Sequence, residues 1–336
     1  MLDADISKRV WIARYLMVIG IVILHVPPYQ ALSELDGSIF GYIKAFFAHG
    51  VFRASVPVLT VMSGYLIFAT QLYLKPVKLF KKKVSTLLVP LILWNLPLAI
   101  AVYLVQRFNI IDYQFSMELY PFDLFIWLDA NLGLSRIPIN YPLNFLRDLF
   151  VIALLSPLIG WVLKKGAFLG LLGVFIVYFY NVEGELILRN SMLISFYCGA
   201  LLAYKSYDLR RLDKYAFPCL LSFVVVCISI VAFQIENREL FRMVSPFMIW
   251  PALSLLESTK LGTLLYRYSG NSFFTFLAHG PLLVILWVVF NKLPVELPYY
   301  VFWLLTPIII VCLTIIANRL LKCVAPRVAL VVLGNR

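Results

Sequence analysis

Long apolar runs, separated by short clusters of lysine and arginine, are the feature that most limits how this chain can fold. A helix that crosses a bilayer needs about 17 to 25 predominantly apolar residues. Ten such runs can be placed, of which the fifth, sixth and eighth are short: 9–27, 46–69, 84–105, 145–163, 167–181, 190–204, 215–234, 243–256, 271–291 and 297–321. The sequence therefore predicts an all-α, polytopic membrane protein of about ten transmembrane helices.

The distribution of basic residues predicts the orientation of these helices. Charged residues make up only 14% of the chain, against about 25% in soluble domains, yet the formal net charge is +12. Lysine and arginine concentrate near both termini and in every second loop, as in the segment 75–83. The positive-inside rule then places both termini in the cytoplasm, and the clustering between apolar runs argues against nucleic-acid binding. We expect one transmembrane domain over residues 1–336, without a fused soluble domain.

Missing motifs exclude several classes of function. The sequence contains no G-x-x-x-x-G-K-[ST], no G-x-G-x-x-G and no H-E-x-x-H. The sequence therefore lacks the motifs typical of ATP hydrolysis, nicotinamide redox chemistry and zinc proteolysis. The five cysteines form no C-x-x-C pair, so neither a disulfide framework nor a zinc site is indicated. We expect no bound cofactor and no metal.

Two ionisable residues bracket an apolar stretch of the first run. Such residues cost about 2.5–3.5 kcal/mol in the middle of a membrane, so a functional role is the first interpretation. Arg14 and His25 flank the segment YLMVIGIVIL. Eleven residues are close to three full helical turns, which places both side chains on one face about 16 Å apart. Arg14 alone is also explained by snorkelling to the inner interface, and His25 alone by a bond to a helix-end carbonyl. Their shared face favours a site.

The second run carries a further histidine and arginine. His49 and Arg53 lie four residues apart, which predicts that they share a helix face. A cation at Arg53, inside an apolar segment, needs an anion or a cavity lined by carbonyl groups. Ser63 and Gly64 permit close approach of another backbone, and helix packing is the favoured interpretation of this pair.

Two later runs contain the remaining candidates. Arg147 and Asp148 are adjacent at the start of the fourth run, so they point about 100° apart, and we expect each to pair with another helix rather than with its neighbour. His279 lies two turns into the ninth run, in its predicted cytoplasmic half, where a structural and a functional role are equally expected. The long, acidic and aromatic loop at 106–144 is a candidate for acceptor specificity.

Four segments, in this order, resemble the successive motifs of the acyltransferase-3 family. They are Arg14-(ten residues)-His25, RASVPVLTVMSGYLIF, PLNFLRDLFVIALLSPL and FTFLAHGPLL. The family consists of integral membrane proteins of about ten helices that acylate carbohydrates at or outside the cytoplasmic membrane. The resemblance is strongest to the bacterial O-antigen and exopolysaccharide O-acetyltransferases. Asn144 departs from the pattern, because relatives often have Trp at this position.

The resemblance implies roles for individual residues. His25 and Arg14 fall on the family's essential histidine and its paired arginine, which implies catalytic roles for both. The predicted substrate-binding set, to which His49 is added from its place beside Arg53, consists of His49, Arg53, Ser63, Arg147 and Asp148.

These observations combine into one hypothesis and one alternative. The hypothesis is an O-acyltransferase of the bacterial inner membrane, which moves an acetyl group from cytoplasmic acetyl-CoA to a hydroxyl of a lipid-linked or surface glycan. Arg14 would bind the donor phosphates and His25 would act as general base, while Arg53 would hold the oxyanion or an acceptor phosphate. Direct transfer and a transient acyl-enzyme both stay open. The alternative is a carrier or flippase for lipid-linked sugars or small anions, which intramembrane cations suit equally well.

Overall fold

The computed structural model describes residues 4–110, 115–294 and 297–335, and this part of the chain contains helices and no β-strand. The predicted all-α fold is therefore confirmed. The α-helices of the described residues are α1 (Ala4–Leu24), α2 (Ile39–Ala45), α3 (Ser55–Ala69), α4 (Pro76–Lys83), α5 (Val89–Phe108), α6 (Leu124–Leu132), α7 (Asn144–Tyr180), α8 (Ser191–Tyr204), α9 (Ala216–Ala232), α10 (Glu239–Ala252), α11 (Lys260–Tyr268), α12 (Ser272–Asn291), α13 (Tyr299–Val324) and α14 (Pro326–Val332). Residues 111–114 of the predicted specificity loop lie outside the described residues.

Within the described ranges, six helical segments are long and apolar enough to cross a membrane. They are Ile39–Ala69, Pro76–Phe108, Tyr141–Tyr180, Leu209–Ala232, Lys260–Asn291 and Tyr299–Val324. Helix α8 is apolar but shorter, and α1 carries Lys8 and Arg9 near its N-terminus and Arg14 at its middle. The count of ten spans and the cytoplasmic position of both termini stay predictions.

The predicted fourth and fifth runs form one helix, α7, which is interrupted at Gly166. The backbone of Gly166 is extended, with φ −173° and ψ 83°. An unbroken helix of 37 residues would be about 56 Å long, well beyond the hydrocarbon core of about 30 Å. The interruption divides α7 into two segments, 144–165 and 167–180, joined by a sharp kink rather than by the predicted loop.

The helices gather into two compact units. One consists of Met1–Thr70 and Ser195–Asn318, and the other of Gln71–Ile194 and Arg319–Arg336. The first unit is thus built from two distant parts of the chain, and it contains Arg14, His25 and His279. The single domain expected from the sequence stays a prediction.

Helices α3 and α8 cross at backbone contact distance in the first unit. A Cβ atom at Gly64 would overlap the carbonyl oxygen of Phe196, and one at Gly199 would overlap that of Val61. The close approach predicted for the Ser63–Gly64 pair is therefore confirmed. The Ser63 hydroxyl donates to the Leu59 carbonyl oxygen, 2.8 Å away on its own helix.

The two ends of α1 are fixed by different interactions. At the N-terminal end, the buried Arg9 guanidinium donates to both carboxylate oxygens of Asp213 at 2.7 and 2.8 Å and to Glu257. Near the C-terminal end, the side chains of Val22 and Val26 join an apolar cluster with α12 and α13. Because both ends are held, the face that carries Arg14 and His25 has a defined direction within the unit.

Candidate active site

His25 and His279 form a pair of stacked imidazoles. Nδ1 of His25 lies 3.3 Å from Nε2 of His279, and the two rings are 5.5 Å apart between centroids with an interplanar angle of 16°. His25 follows the last residue of α1, and His279 lies in α12 with no exposed surface. The pair brings together residues 254 positions apart in the sequence.

The hydrogen bonds of this pair define which ring nitrogens carry protons. Nδ1 of His279 is 2.7 Å from the carbonyl oxygen of Phe276. Since a carbonyl oxygen only accepts, this nitrogen is the donor, and in the neutral ring the lone pair is on Nε2. Nδ1 of His25 must then donate to it. The lone pair of a neutral His25 is consequently on Nε2, the nitrogen with which it would accept a proton.

The relative depth predicted for His279 is wrong. A cytoplasmic N-terminus and a first run over 9–27 put His25 near the outer end of that run, whereas His279 was predicted in the cytoplasmic half of the ninth run; yet the two rings are adjacent. The reason is the packing of α11, whose Leu265 joins Tyr15 of α1 in one apolar cluster. Helix α12 therefore begins level with the middle of α1, and two turns bring His279 to the level of His25.

The segment that follows His25 is fastened by two side chains. The Tyr299 hydroxyl donates to the carbonyl oxygen of Pro27 at 3.0 Å, and the Lys44 ammonium donates to that of Pro28 at 3.2 Å. Lys44 is buried, and its ammonium lies 4.7 Å from the centroid of the Tyr299 ring. These contacts hold the chain beyond the candidate base in one conformation.

His49 uses both ring nitrogens for contacts within the protein. It lies in a π-helix, Phe46–Gly50, and is buried. Its Nε2–H donates to the Gln30 carbonyl oxygen at 2.8 Å, and its Nδ1 accepts from Nη1 of Arg238 at 2.6 Å. In this arrangement His49 orients Arg238, a residue that sequence reasoning missed. The sequence did offer a signal for Arg238. It lies in the short segment between the seventh and eighth predicted runs, on the side of the membrane opposite to the basic loops, where arginines are less expected.

Arg53 and His49 both face Tyr29. The guanidinium carbon of Arg53 lies 5.9 Å from the centroid of the Tyr29 ring, and the ring of His49 meets the same ring edge to face at 5.7 Å. The predicted common side is therefore confirmed, although the backbone there is not α-helical: a 3₁₀ turn, Val51–Ala54, follows the π-helix. Arg53, Tyr29, His49 and Arg238 form a continuous polar cluster next to the segment that leaves His25.

Arg14 lies on the same face of α1 as His25, about three helical turns away. Its guanidinium is 5.5 Å from the ring of Trp11 and the side chain is half-buried. Because α1 is continuous to Leu24, the separation of about 16 Å follows from the helical rise. Val18 and Ile21, on this face between them, are buried at 4% and 3% exposure. The face is thus covered by protein side chains along the expected donor route.

Arg147 and Asp148 bond to each other, so the expectation that they do not pair is wrong. Nη1 of Arg147 is 2.9 Å from Oδ1 of Asp148, because the long arginine side chain folds back across the helix. Asp148 also accepts from the backbone N–H groups of Leu188 and Arg189. The guanidinium further donates to four carbonyl oxygens, those of Gly133, Leu134, Glu185 and Leu186. In the second unit this buried pair holds two loops; a role in substrate binding stays a prediction.

Comparisons with known proteins give matches that extend over most or all of the chain. A family model described as an acyltransferase domain (Acyl_transf_3) matches residues 9–318. The chain is 29% identical over 350 aligned residues to the succinoglycan biosynthesis protein ExoH of Rhizobium meliloti (strain 1021), an alignment that covers 100% of this chain and 94% of that relative. No solved structure matches.

Proposed function

The chain belongs to the acyltransferase-3 family, and we propose from this premise that it is a membrane-bound acyltransferase that modifies a bacterial exopolysaccharide. The nature of the acceptor is supported by the relative that is named for succinoglycan biosynthesis and aligned over the full length of this chain. Six apolar helical segments of membrane-spanning length support a place in the membrane. We propose ten spans, cytoplasmic termini and the inner membrane as the finer description.

For the donor we propose acetyl-CoA, which approaches from the cytoplasmic side. Arg14, in the middle of α1 and on the cytoplasmic side of His25 in the proposed topology, binds its phosphates, because a guanidinium forms paired hydrogen bonds to phosphate oxygens. The pantetheine arm then follows α1 toward His25. Since Val18 and Ile21 are buried on this face, donor binding requires their displacement.

The His25–His279 pair is the observation that carries the proposed chemistry. His25 accepts the proton of the acceptor hydroxyl at Nε2 while the hydroxyl oxygen forms a bond to the thioester carbonyl carbon. The carbon–sulfur bond breaks, CoA leaves as a thiolate, and the proton passes from His25 to the sulfur. General-base action of this kind typically contributes about 10²–10⁴-fold to a rate. His279 acts as the positioning residue, because its lone pair keeps the proton of His25 on Nδ1.

The test compares the parent chain with His25→Ala in a bacterial host that lacks acetylation of its surface glycans but makes the acceptor polysaccharide. Purified polysaccharide is examined by proton NMR for O-acetyl methyl signals that mild alkali removes, and membrane levels of both chains are matched by immunoblot. We expect signals from the parent and none from the variant. Normal acetylation by His25→Ala would disprove the general-base role.

Release of CoA thiol separates the enzyme from a carrier. Membranes with the parent chain should release thiol from acetyl-CoA only when acceptor glycan is present. Transport of a lipid-linked sugar without thiol release would instead establish the carrier.

A further inference from the structure

Arg238 is buried with an incomplete set of partners. The residue is 7% exposed. Nη1 donates to His49, and Nη2 lies 3.5 Å from a carboxylate oxygen of Glu236, whose side chain is half exposed. Its Nε is enclosed and meets no acceptor among the described residues. A buried guanidinium is costly unless its N–H groups are paired, so this position is prepared for an anionic partner.

The surroundings of Arg238 add positive charge. Through His49 and Tyr29 it is continuous with Arg53, and the buried ammonium of Lys44 lies on the adjoining segment at Pro28. A set of close cations in a partly desolvated place attracts oxyanions strongly.

The position of this cluster indicates which substrate would supply the anion. Tyr29 follows His25 by four residues, so their Cα atoms are at most about 14 Å apart. Arg14 lies in the middle of α1, about 16 Å from His25 on the side from which we propose that the donor comes. An anionic group at Tyr29 therefore belongs to the molecule that meets His25 from the opposite side, which is the acceptor.

We propose that Arg238 and Arg53 form a subsite for an anionic group of the acceptor glycan, either the carboxylate of an acidic sugar or the phosphate of a lipid-linked sugar. His49 positions Arg238 by accepting its Nη1–H, and Glu236 occupies the subsite in part until the acceptor displaces it. The identification of the ligand as acceptor rests on the proposed function, whereas the anion site itself does not.

Binding to the purified full-length protein in nanodiscs tests the subsite without any acyl transfer. The probes are sodium pyrophosphate for the lipid-linked source and sodium glucuronate for the acidic sugar, with glucose and sodium chloride as neutral and ionic-strength controls. We expect one anion to raise the thermal unfolding midpoint in a saturable way. Preference for pyrophosphate or for glucuronate identifies the source, and either result supports the site.

Three variants decide whether the binding occurs at Arg238. Arg238→Gln should raise the Kd of whichever anion stabilises the parent chain at least about tenfold, because the variant loses a hydrogen bond to a charged group. Arg242→Gln, one helical turn further on and paired with Glu239, is the matched control and should leave the Kd unchanged. Glu236→Gln removes the competing carboxylate and should lower the Kd about two- to fivefold. Tighter binding of the anion cannot result from a variant that fails to fold.

The inference is overturned if neither anion stabilises the protein beyond the chloride control. It is also overturned if Arg238→Gln or, should that variant not fold, Glu236→Gln binds the anion as the parent does. A parent chain that binds the anion but never releases CoA thiol would contradict the proposed function and leave the subsite intact. A parent chain that transfers acetyl groups without binding either anion would contradict the subsite alone.

Discussion

A hydrogen bond of 3.3 Å joins Nδ1 of His25 to Nε2 of His279, and the carbonyl oxygen of Phe276 fixes its direction. The arrangement gives His25 a defined tautomer by means of a neutral partner. A carboxylate in the same place would be costly to bury there, whereas a neutral imidazole needs only a backbone carbonyl to set its proton.

The role of His279 predicts a difference between two substitutions. His279→Leu removes the nitrogen that accepts the Nδ1–H of His25, and kcat should fall about 10–100-fold. This loss is no larger than the smallest contribution typical of a general base, because His25 itself is still present. His279→Gln supplies a side-chain oxygen as acceptor and should recover part of this loss. KM for donor and acceptor should stay within about twofold in both variants. Equal kcat values for the two variants would point to a purely structural histidine.

Arg14 predicts a difference between two donors. Arg14→Gln should raise KM for acetyl-CoA about tenfold or more, because charged hydrogen bonds to phosphate are lost. KM for S-acetyl-pantetheine, which lacks the nucleotide phosphates, should not change. Arg267→Gln, an exposed cation beside Tyr268, is the control and should leave both values unchanged. An equal rise for both donors would remove Arg14 from phosphate binding.

The Arg147–Asp148 pair predicts a loss of stability. Arg147→Met leaves a buried carboxylate without its cation and should cost about 3–5 kcal/mol. Arg136→Met, an exposed arginine in one of the same loops, should change stability by no more than about 0.5 kcal/mol. Thermal unfolding of the purified chains measures both. Activity per folded molecule then tests the predicted binding role: an unchanged KM for the acceptor would confine the pair to structure.

The α3–α8 crossing predicts opposite effects of the same substitution at two glycines. Gly64→Ala places a methyl group against the backbone carbonyl of Phe196, and the forced shift should cost at least about 1–3 kcal/mol. Gly173→Ala meets no atom within 4 Å and lies inside α7, so it should gain about 0.5–1 kcal/mol from helix propensity. Thermal unfolding midpoints that move in the same direction would contradict the crossing.

Sequence patterns predicted features that depend on local geometry. The all-α fold follows from runs of apolar residues, and the shared face of Arg14 and His25 follows because α1 is one unbroken helix. The close approach at Gly64 was also predictable, since a residue without a side chain at a helix surface invites another backbone.

Features that depend on packing were not predictable. His279 and Arg238 reach their partners across 254 and 189 residues, and no periodicity reports which helices become neighbours. The predicted depth of His279 was wrong because α11 packs beside Ile12 and Tyr15 of α1. This packing shifts α12 along α1, and the lengths of apolar runs give no information on such a shift. The fold-back of Arg147 onto Asp148 depends on a flexible side chain, to which helix geometry assigns no direction.

The discontinuity of the first unit has a consequence for biosynthesis. A ribosome adds about 5–20 residues per second, so His25 emerges roughly 13–50 s before the histidine that orients it. Within that interval the ribosome also makes residues 71–194, which belong to the other unit. His25 therefore lacks its hydrogen-bond partner through most of the synthesis of the chain, and the proposed site is complete only after α12 has been made.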